Sequence, residues 1–255
     1  MSEPDLPSIL ALEKIEENLY RTTLVFREEY PLYGGQVAAQ ALRAAGLTVD
    51  RDRHPHSLHG YFLRRGDAEV PTVLKVFRDR DGRSFSARRV VAIQHGEVIF
   101  NMSASFVAAG AGDLLQSEPM PATEPPGDLE PTSFPRLHSI EIRLPEAPFE
   151  PARWPTRFWA RATIELPDDP LAHACALAYV SDISTGVLPA PDGSAGPGAS
   201  LDHAVWFHAP VDMTDWTLTD YHPRVAGRGR GWYTGSIFTA DGTLVASLAQ
   251  ETLYR

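Results

Sequence analysis

Residues 57–63 read SLHGYFL, and residues 201–207 read LDHAVWF. These two stretches are similar, and each is followed by a second pair of similar stretches, GRSFS at residues 82–86 and GRGWY at residues 229–233. The two copies keep the same order, and their separation is far longer than the unit of a solenoid, which is about 20–50 residues. The sequence therefore predicts a duplicated small domain, so that two similar halves make up the 255-residue chain.

The first half predicts one buried helix followed by long strands. Residues 36–46, QVAAQALRAAG, are apolar on nearly every side of a helix, which is typical of a helix enclosed by other elements. The junction QHGE at residues 94–97 predicts a tight hairpin between two of the strands. Strand-like patterns lie at residues 56–64, 70–78, 84–94 and 97–108.

The second half repeats this order after a segment rich in proline, glycine and acidic residues, at 109–135, which is a linker by composition. A second apolar helix is predicted from Pro170 to near Ile183. The pattern predicts an α+β fold with an N-terminal domain at 1–108 and a C-terminal domain at 136–255, each with one buried helix wrapped by an antiparallel sheet. Strand-like patterns lie near 138–144 and 156–166 and at 201–209, 216–224, 230–239 and 243–254.

The composition favours a small-molecule substrate over nucleic acid or a membrane. The formal net charge of −10 argues against nucleic acid as a partner, because phosphate neutralisation needs clustered cations. Arg88 and Arg89 are among several arginine groups that could bind a phosphate, although solvated strand edges and turns explain most of these groups. No apolar run is long enough to span a membrane, and the acidic N-terminus lacks the pattern of a secretion signal. The single cysteine, Cys175, rules out an internal disulfide. We therefore predict a soluble, cytoplasmic protein without membrane insertion.

Five ordered motifs resemble the type II acyl-CoA thioesterases, the TesB-like family, over about residues 10–255. The resemblance implies a double hotdog fold, in which two fused repeats each wrap an antiparallel sheet around a long helix. It also implies hydrolysis of fatty acyl-CoA to free acid and CoA, a role in lipid metabolism, and assembly into a homodimer or larger homo-oligomer. The motifs are YGGQV at 33–37, HSLHGYFLR at 56–64, SFSARRV at 84–90, DHAVWFH at 202–208, and DGTLVA at 241–246 followed by Gln250 and Glu251.

The family's catalytic set, carried over onto this sequence, implies that Asp182, late in the second helix, acts together with Ser200 and Gln250. The sequence contains no Gly-x-Ser-x-Gly elbow for a serine nucleophile, and no His-Glu-x-x-His or paired-cysteine metal signature. A directly attacking water remains, with Asp182 accepting its proton and the other two side chains fixing its position. No metal or organic cofactor is expected.

Three further hypotheses stay open at this stage. The backbone N–H groups of Gly35 and Gln36, at the positive end of the first helix, would bind the thioester carbonyl oxygen, although the glycines would equally be needed for a tight start of the helix. A hotdog enoyl-CoA hydratase or dehydratase would instead use an Asp and a His, for which Asp202 and His203 are the candidates. Adjacent residues on a strand point to opposite faces, so these two cannot act together directly. A non-catalytic acyl-CoA binding protein is the third possibility.

Overall fold

The computed structural model describes residues 4–27, 30–108, 110, 114–134, 136–145, 155–183, 186–190 and 192–255. By their contacts, the residues fall into two compact units of similar density. The first unit contains Met1–Gly112 together with Leu166–Tyr179, and the second contains Asp113–Glu165 together with Val180–Arg255. The second apolar helix therefore belongs by its contacts to the first unit, almost to its end.

The first unit is an antiparallel sheet packed against a buried helix. The sheet has the strand order β1-β2-β4-β5-β6-β3, and helix α2 packs against β3, β4, β5 and β6. Eleven of the thirteen residues of α2 are buried, as its all-round apolar pattern predicts. The elements are α1 (Leu6–Leu10), β1 (Leu12–Glu16), β2 (Leu19–Thr22), α2 (Gly34–Gly46), β3 (Arg53–Phe62), β4 (Val73–Asp81), β5 (Phe85–Gln94) and β6 (Glu97–Ala108).

The hairpin predicted at residues 94–97 is confirmed. Gln94 pairs with Glu97, and the two residues between them have positive φ angles of 51° at His95 and 78° at Gly96. A two-residue type I′ hairpin turn requires positive φ angles at both of its central residues. This turn joins two of the longest strands of the first unit and fixes their register.

The second unit is also an antiparallel sheet, with the order β11-β14-β13-β12-β9-β8-β7 and with β10 pairing to β14 beside β11. Its long hairpin turns at Arg228 and Gly229, whose φ angles of 52° and 80° match those of the turn in the first unit. The strands are β7 (Pro131–Thr132), β8 (Ile140–Arg143), β9 (Arg157–Ala162), β10 (Pro197–Ser200), β11 (Asp202–Phe207), β12 (Thr217–Gly227), β13 (Arg230–Thr239) and β14 (Leu244–Tyr254).

Helix α3 covers Pro170–Val180 and is shorter than predicted. The sequence pattern had placed its end near Ile183. The amide of Ile183 bonds back to the carbonyl of Val180 at 3.1 Å, which closes a tight turn. The carbonyl of Ser181 accepts a hydrogen bond from the Tyr221 hydroxyl at 2.8 Å, which anchors this turn. Asp182 therefore lies just beyond the helix, where the prediction had placed it late within the helix.

Within the first unit, α3 packs on α2 in the antiparallel sense. The Tyr33 hydroxyl before α2 donates to the carbonyl of Tyr179 near the end of α3, at 2.7 Å. Towards the other end, Arg43 forms an ion pair of 2.8 Å with Asp169, which precedes α3. Cys175 is fully buried in this helix, and burial raises the pKa of its thiol to about 12, so it fills space and is not a nucleophile.

The segment predicted as a linker is hydrogen-bonded to strands of the second unit where the structure describes it. Gln116 bonds to the backbone of Gly242 and Leu244, and Glu118 accepts from Ser236 at 2.8 Å. Residues 109, 111–113 and 135 lie outside the described residues. The domain boundaries at 108 and 136 remain a prediction. Within the described ranges, no helix is long and apolar enough to cross a membrane.

Candidate active site

The structure brings Asp182, Ser200 and Gln250 together, although they come from separate parts of the second unit. The Ser200 hydroxyl donates to Asp182 Oδ1 at 3.0 Å, and Gln250 Nε2 donates to the same oxygen at 2.8 Å. Gln250 Nε2 also lies 2.7 Å from Ser200 Oγ. The three side chains therefore form a closed set of contacts around one carboxylate oxygen.

Ser200 is held in place by β14, the last strand in the sequence. It ends β10, which pairs with β14, and its partner across the pair is Thr252. The fully buried Thr252 hydroxyl lies within hydrogen-bond distance of the carbonyls of Gly198, at 2.8 Å, and Ala199, at 3.0 Å. A short strand that pairs so briefly would be weak alone, and these side-chain contacts add to its backbone pairing.

Gln250 lies on the inward face of β14, and Asp182 lies in the turn after α3. Gln250 is 1% exposed and Asp182 is 9% exposed, so both polar groups are removed from bulk water. Tyr221 anchors the turn through the carbonyl of Ser181, and burial raises the pKa of the Tyr221 hydroxyl, which stays a donor at ordinary pH. The Asp182 side chain thus projects from a turn whose backbone is fixed.

The donors of this cluster all point at Asp182. An ionised carboxylate only accepts hydrogen bonds, so the Gln250 amide must present its nitrogen to Asp182 and to Ser200. The serine hydroxyl then uses its single hydrogen for Asp182 Oδ1. In the described part of the chain, no side chain or backbone group donates to Asp182 Oδ2. That second oxygen is the position where a water proton can be accepted.

His203 is a member of the cluster that the sequence reasoning did not place there. It is fully buried on β11, its Nδ1 contacts Gln250 Oε1, and its Nε2 lies 2.8 Å from Ser181 Oγ. Asp202, its neighbour in sequence, points the other way and accepts the backbone N–H of Glu251 at 2.7 Å. The alternation of strand side chains signalled that these two residues separate, but not which of them faces Gln250.

Burial lowers the pKa of His203, which keeps its ring neutral at ordinary pH. Because Gln250 turns its amide nitrogen to Asp182, its oxygen Oε1 faces His203 and needs a donor there. The ring hydrogen of the neutral imidazole is therefore assigned to Nδ1, and Nε2 accepts from the Ser181 hydroxyl.

Gly35 and Gln36 lie in the first turn of α2, in the first unit. Tyr33, the residue before the helix, makes no side-chain hydrogen bond that caps it. The N–H groups of Gly35 and Gln36 have no hydrogen-bond partner among the described residues. A Cβ atom at Gly35 would lie 2.4 Å from the carbonyl oxygen of Tyr179 and 2.7 Å from the Tyr33 ring. The packing alone therefore requires glycine at this position, whether or not the N–H groups bind a ligand.

Among the described residues, no group of three or more His, Cys, Asp or Glu side chains is placed to hold a metal ion. The structure also gives partners to Arg88 and Arg89, which the sequence offered as one of several possible phosphate-binding groups. Arg88 is buried and bonds to Thr48 and Asp81, and the exposed Arg89 pairs with Asp79 at 2.7 Å. The Arg88 guanidinium is therefore not an open phosphate site, and Arg88 is a buried group, unlike the solvated strand edge expected from sequence.

Two family models match the chain in succession. Residues 28–107 match the acyl-CoA thioesterase N-terminal domain, and residues 115–254 match the acyl-CoA thioesterase C-terminal domain. The chain belongs to the acyl-CoA thioesterase family. The resemblance inferred from the motifs is thereby confirmed.

Relatives of this acyl-CoA thioesterase family support the assignment over almost the whole chain. Acyl-CoA thioesterase 2 of Haemophilus influenzae is 36% identical over 98% of this chain and 97% of its own length. The crystal structure of the acyl-CoA thioesterase II TesB2 from Mycobacterium marinum is 43% identical, with a TM-score of 0.82 and coverage of 98% of this chain and 96% of its own. A hot dog fold protein from Alicyclobacillus acidocaldarius, 20% identical over 98% of this chain and 97% of its own, has a TM-score of 0.77. The double hotdog fold is confirmed.

Proposed function

We propose that this protein hydrolyses acyl-CoA thioesters with a water molecule that Asp182 activates and that Ser200 and Gln250 help to position. Membership of the family makes the chain an acyl-CoA thioester hydrolase. The observation that supports the residue roles is the shared oxygen: two donors converge on Asp182 Oδ1, at 3.0 Å and 2.8 Å, and leave Oδ2 for the water.

The hydrogen bonds of Ser200 leave it able to hold the attacking water. Ser200 Oγ donates to Asp182 and accepts from Gln250, so one of its lone pairs remains for a hydrogen of the water. The other hydrogen of the water would point to Asp182 Oδ2. Both hydrogens are then bound, and a lone pair of the water oxygen faces the thioester carbon, which is the orientation required for attack.

The chemical step then balances through one carboxylate. The water oxygen bonds to the carbonyl carbon while its proton passes to Asp182, and the carbonyl becomes a tetrahedral oxyanion. When that intermediate collapses, the carbon–sulfur bond breaks and Asp182 returns the proton to the CoA thiolate. The products are the free acid and CoA, and Asp182 is again ionised for the next water.

We also propose that the N–H groups of Gly35 and Gln36 bind the carbonyl oxygen and stabilise the oxyanion. Support comes from the helix itself, because N–H groups in the first turn of α2 have no intrahelical acceptor and lie at the positive end of the helix dipole. Replacing Gly35 by valine cannot test this role, because its side chain would collide with the Tyr179 carbonyl.

Ligand titration avoids that collision. A CoA analogue with a methylene between sulfur and a ketone carbonyl cannot be hydrolysed but keeps the carbonyl. We expect it to move the amide proton resonances of Gly35 and Gln36 downfield in a nitrogen–proton correlation spectrum, as new hydrogen bonds form. A plain thioether analogue, in which a methylene replaces the carbonyl, should leave these two resonances near their free positions. Equal shifts with both analogues would contradict the proposal.

The geometry weighs against the hydratase alternative. A hydratase needs an Asp and a His that converge on the substrate, whereas Asp202 and His203 face opposite sides of β11 and bond to Glu251 and Gln250. His203 is fully buried, with both ring nitrogens engaged. The assembled Asp182 cluster also argues against a purely binding protein, because three convergent polar side chains are costly to bury without a use.

The experiment that tests the function is thiol release from a panel of acyl-CoA esters with chains from C4 to C18. We expect equal amounts of free thiol and carboxylic acid, with turnover that depends on chain length. Hydration of crotonyl-CoA without thiol release would favour the hydratase, and saturable acyl-CoA binding without turnover would favour a binding protein. Either result would contradict the proposal.

We infer a cytoplasmic homo-oligomer. An exposed apolar pair supports the assembly: Val225 and Trp232 are paired across β12 and β13, and they are 63% and 39% exposed. The single cysteine, which is buried and free, agrees with a reducing compartment. Light scattering should give at least twice the mass of one chain, and a monomer at micromolar concentration would contradict the assembly.

A further inference from the structure

A fully buried histidine lies directly behind the Asp182, Ser200 and Gln250 cluster. We propose that His203 is a positioning residue, which holds the Gln250 amide in the orientation that lets Gln250 donate to Asp182 and Ser200. This inference rests on the proposed function, because it assigns a role to His203 in the same reaction. His203 would act only through Gln250 and would not touch the substrate.

The oxygen and the nitrogen of a glutamine side-chain amide are similar in size, so the amide can adopt two orientations that exchange them. Only one of these orientations suits this site. If the amide were rotated by half a turn, Oε1 would lie near the position of Nε2, about 2.8 Å from Asp182 Oδ1, and two acceptors would oppose each other. The correct orientation leaves Oε1 buried on the far side, where an acceptor without a donor is costly. His203 Nδ1 supplies that donor.

A second contact of the ring is compatible with the tautomer that this requires. Ser181 Oγ lies 2.8 Å from His203 Nε2, and a serine hydroxyl can donate to a bare Nε2 or accept from a protonated one. The need of Gln250 Oε1 for a donor therefore assigns the ring hydrogen to Nδ1, and the Ser181 hydroxyl then donates to Nε2. Ser181 directly precedes Asp182, so the turn that presents the carboxylate also contacts the histidine ring.

The resulting hydrogen bonds run in one direction. The Ser181 hydroxyl donates to His203, His203 donates to Gln250, and Gln250 donates to Asp182 and Ser200. Bonds aligned in this way polarise one another in a buried site. Removing the histidine donor would free the amide to rotate, and a misplacement of about 1 Å in such a site can cost about 10²-fold in rate.

Three substitutions separate positioning from packing. In His203→Asn the amide nitrogen can take the place of Nδ1, so the donor to Gln250 is kept. In His203→Gln the polar group lies further out, near Nε2, and the donor is lost, while His203→Leu removes all polar atoms. We expect kcat for thiol release to fall about 10- to 100-fold in the Gln and Leu variants and to stay within about threefold of the wild type in the Asn variant. KM should change little in all three.

Melting temperatures and circular dichroism of each variant establish that it is folded. Wild-type kcat in folded His203→Leu or His203→Gln would overturn the proposal, as would a loss in His203→Asn as large as that in His203→Gln. If the variants do not fold, the nitrogen shifts of the wild-type ring decide: a protonated Nδ1 with a bare Nε2 supports the proposal, and the opposite tautomer overturns it. The ring measurement holds even if the wild type releases no thiol, which would overturn the proposed function alone.

Discussion

Replacing Asp182 by asparagine should reduce kcat for thioester hydrolysis by about 10³-fold, within the range for loss of a general base. The amide oxygen of asparagine can still accept from Ser200 and Gln250, which lie 3.0 Å and 2.8 Å from Asp182 Oδ1, so the cluster keeps its shape. What is lost is the ability to take a proton from water. Because the acyl-CoA binding groups are unchanged, KM should stay near the wild-type value. Thiol release at saturating substrate measures both constants.

The matched control is Asp241→Asn, which also removes one carboxylate from the second unit. Asp241 lies in the turn between β13 and β14, where its carboxylate accepts the backbone N–H of Thr243 at 3.3 Å. Asparagine retains that acceptor, so turnover should remain within a few-fold of the wild type. Full activity in Asp182→Asn would show that the base is another group, and comparable losses in both variants would point to instability.

The sequence predicted the fold well because its strongest signals are local. Helix α2 and strand β6 begin and end within two residues of the predicted bounds, since an all-round apolar helix and a His-Gly turn leave few alternatives. The duplication was equally visible, because β3 and β11 contain the two copies of one motif. Short strands such as β7 and β10 were missed, since two to four residues carry no periodicity.

The site needed the structure for a different reason. The family resemblance implied that Asp182, Ser200 and Gln250 are the catalytic residues. Their contact, however, depends on long-range packing between a turn, the short strand β10 and strand β14. The predicted end of α3 was wrong because the residues after Val180 still have a helical pattern. In the structure they form a turn, which is anchored by a hydrogen bond from the Tyr221 hydroxyl, forty residues away, to the Ser181 carbonyl. His203 was missed for the same reason, since no local pattern shows that a strand residue faces Gln250.

Replacing Gln250 by glutamate should be the most revealing change at the site after Asp182→Asn. Glutamate has the same shape, but an oxygen would replace Nε2, which lies 2.8 Å from Asp182 Oδ1 and 2.7 Å from Ser200 Oγ. Two carboxylates this close cannot both be ionised readily, so the pair retains a proton to higher pH than one carboxylate would. We expect kcat at neutral pH to fall about 10²-fold, since protonated Asp182 cannot accept a proton from water.

The location of that proton decides the sign of the pH dependence. His203 donates from Nδ1 to the other oxygen of residue 250, which favours the ionised form of the new glutamate and leaves the shared proton on Asp182. Asp182 in the variant therefore has to lose the shared proton before it can act as the base. The rising limb of the kcat profile should therefore move to higher pH than in the wild type. Gln250→Met, which removes the donor without adding a charge, should lower kcat without moving that limb upward. A Gln250→Glu profile that coincides with the wild-type profile would mean that residue 250 is not coupled to the catalytic base.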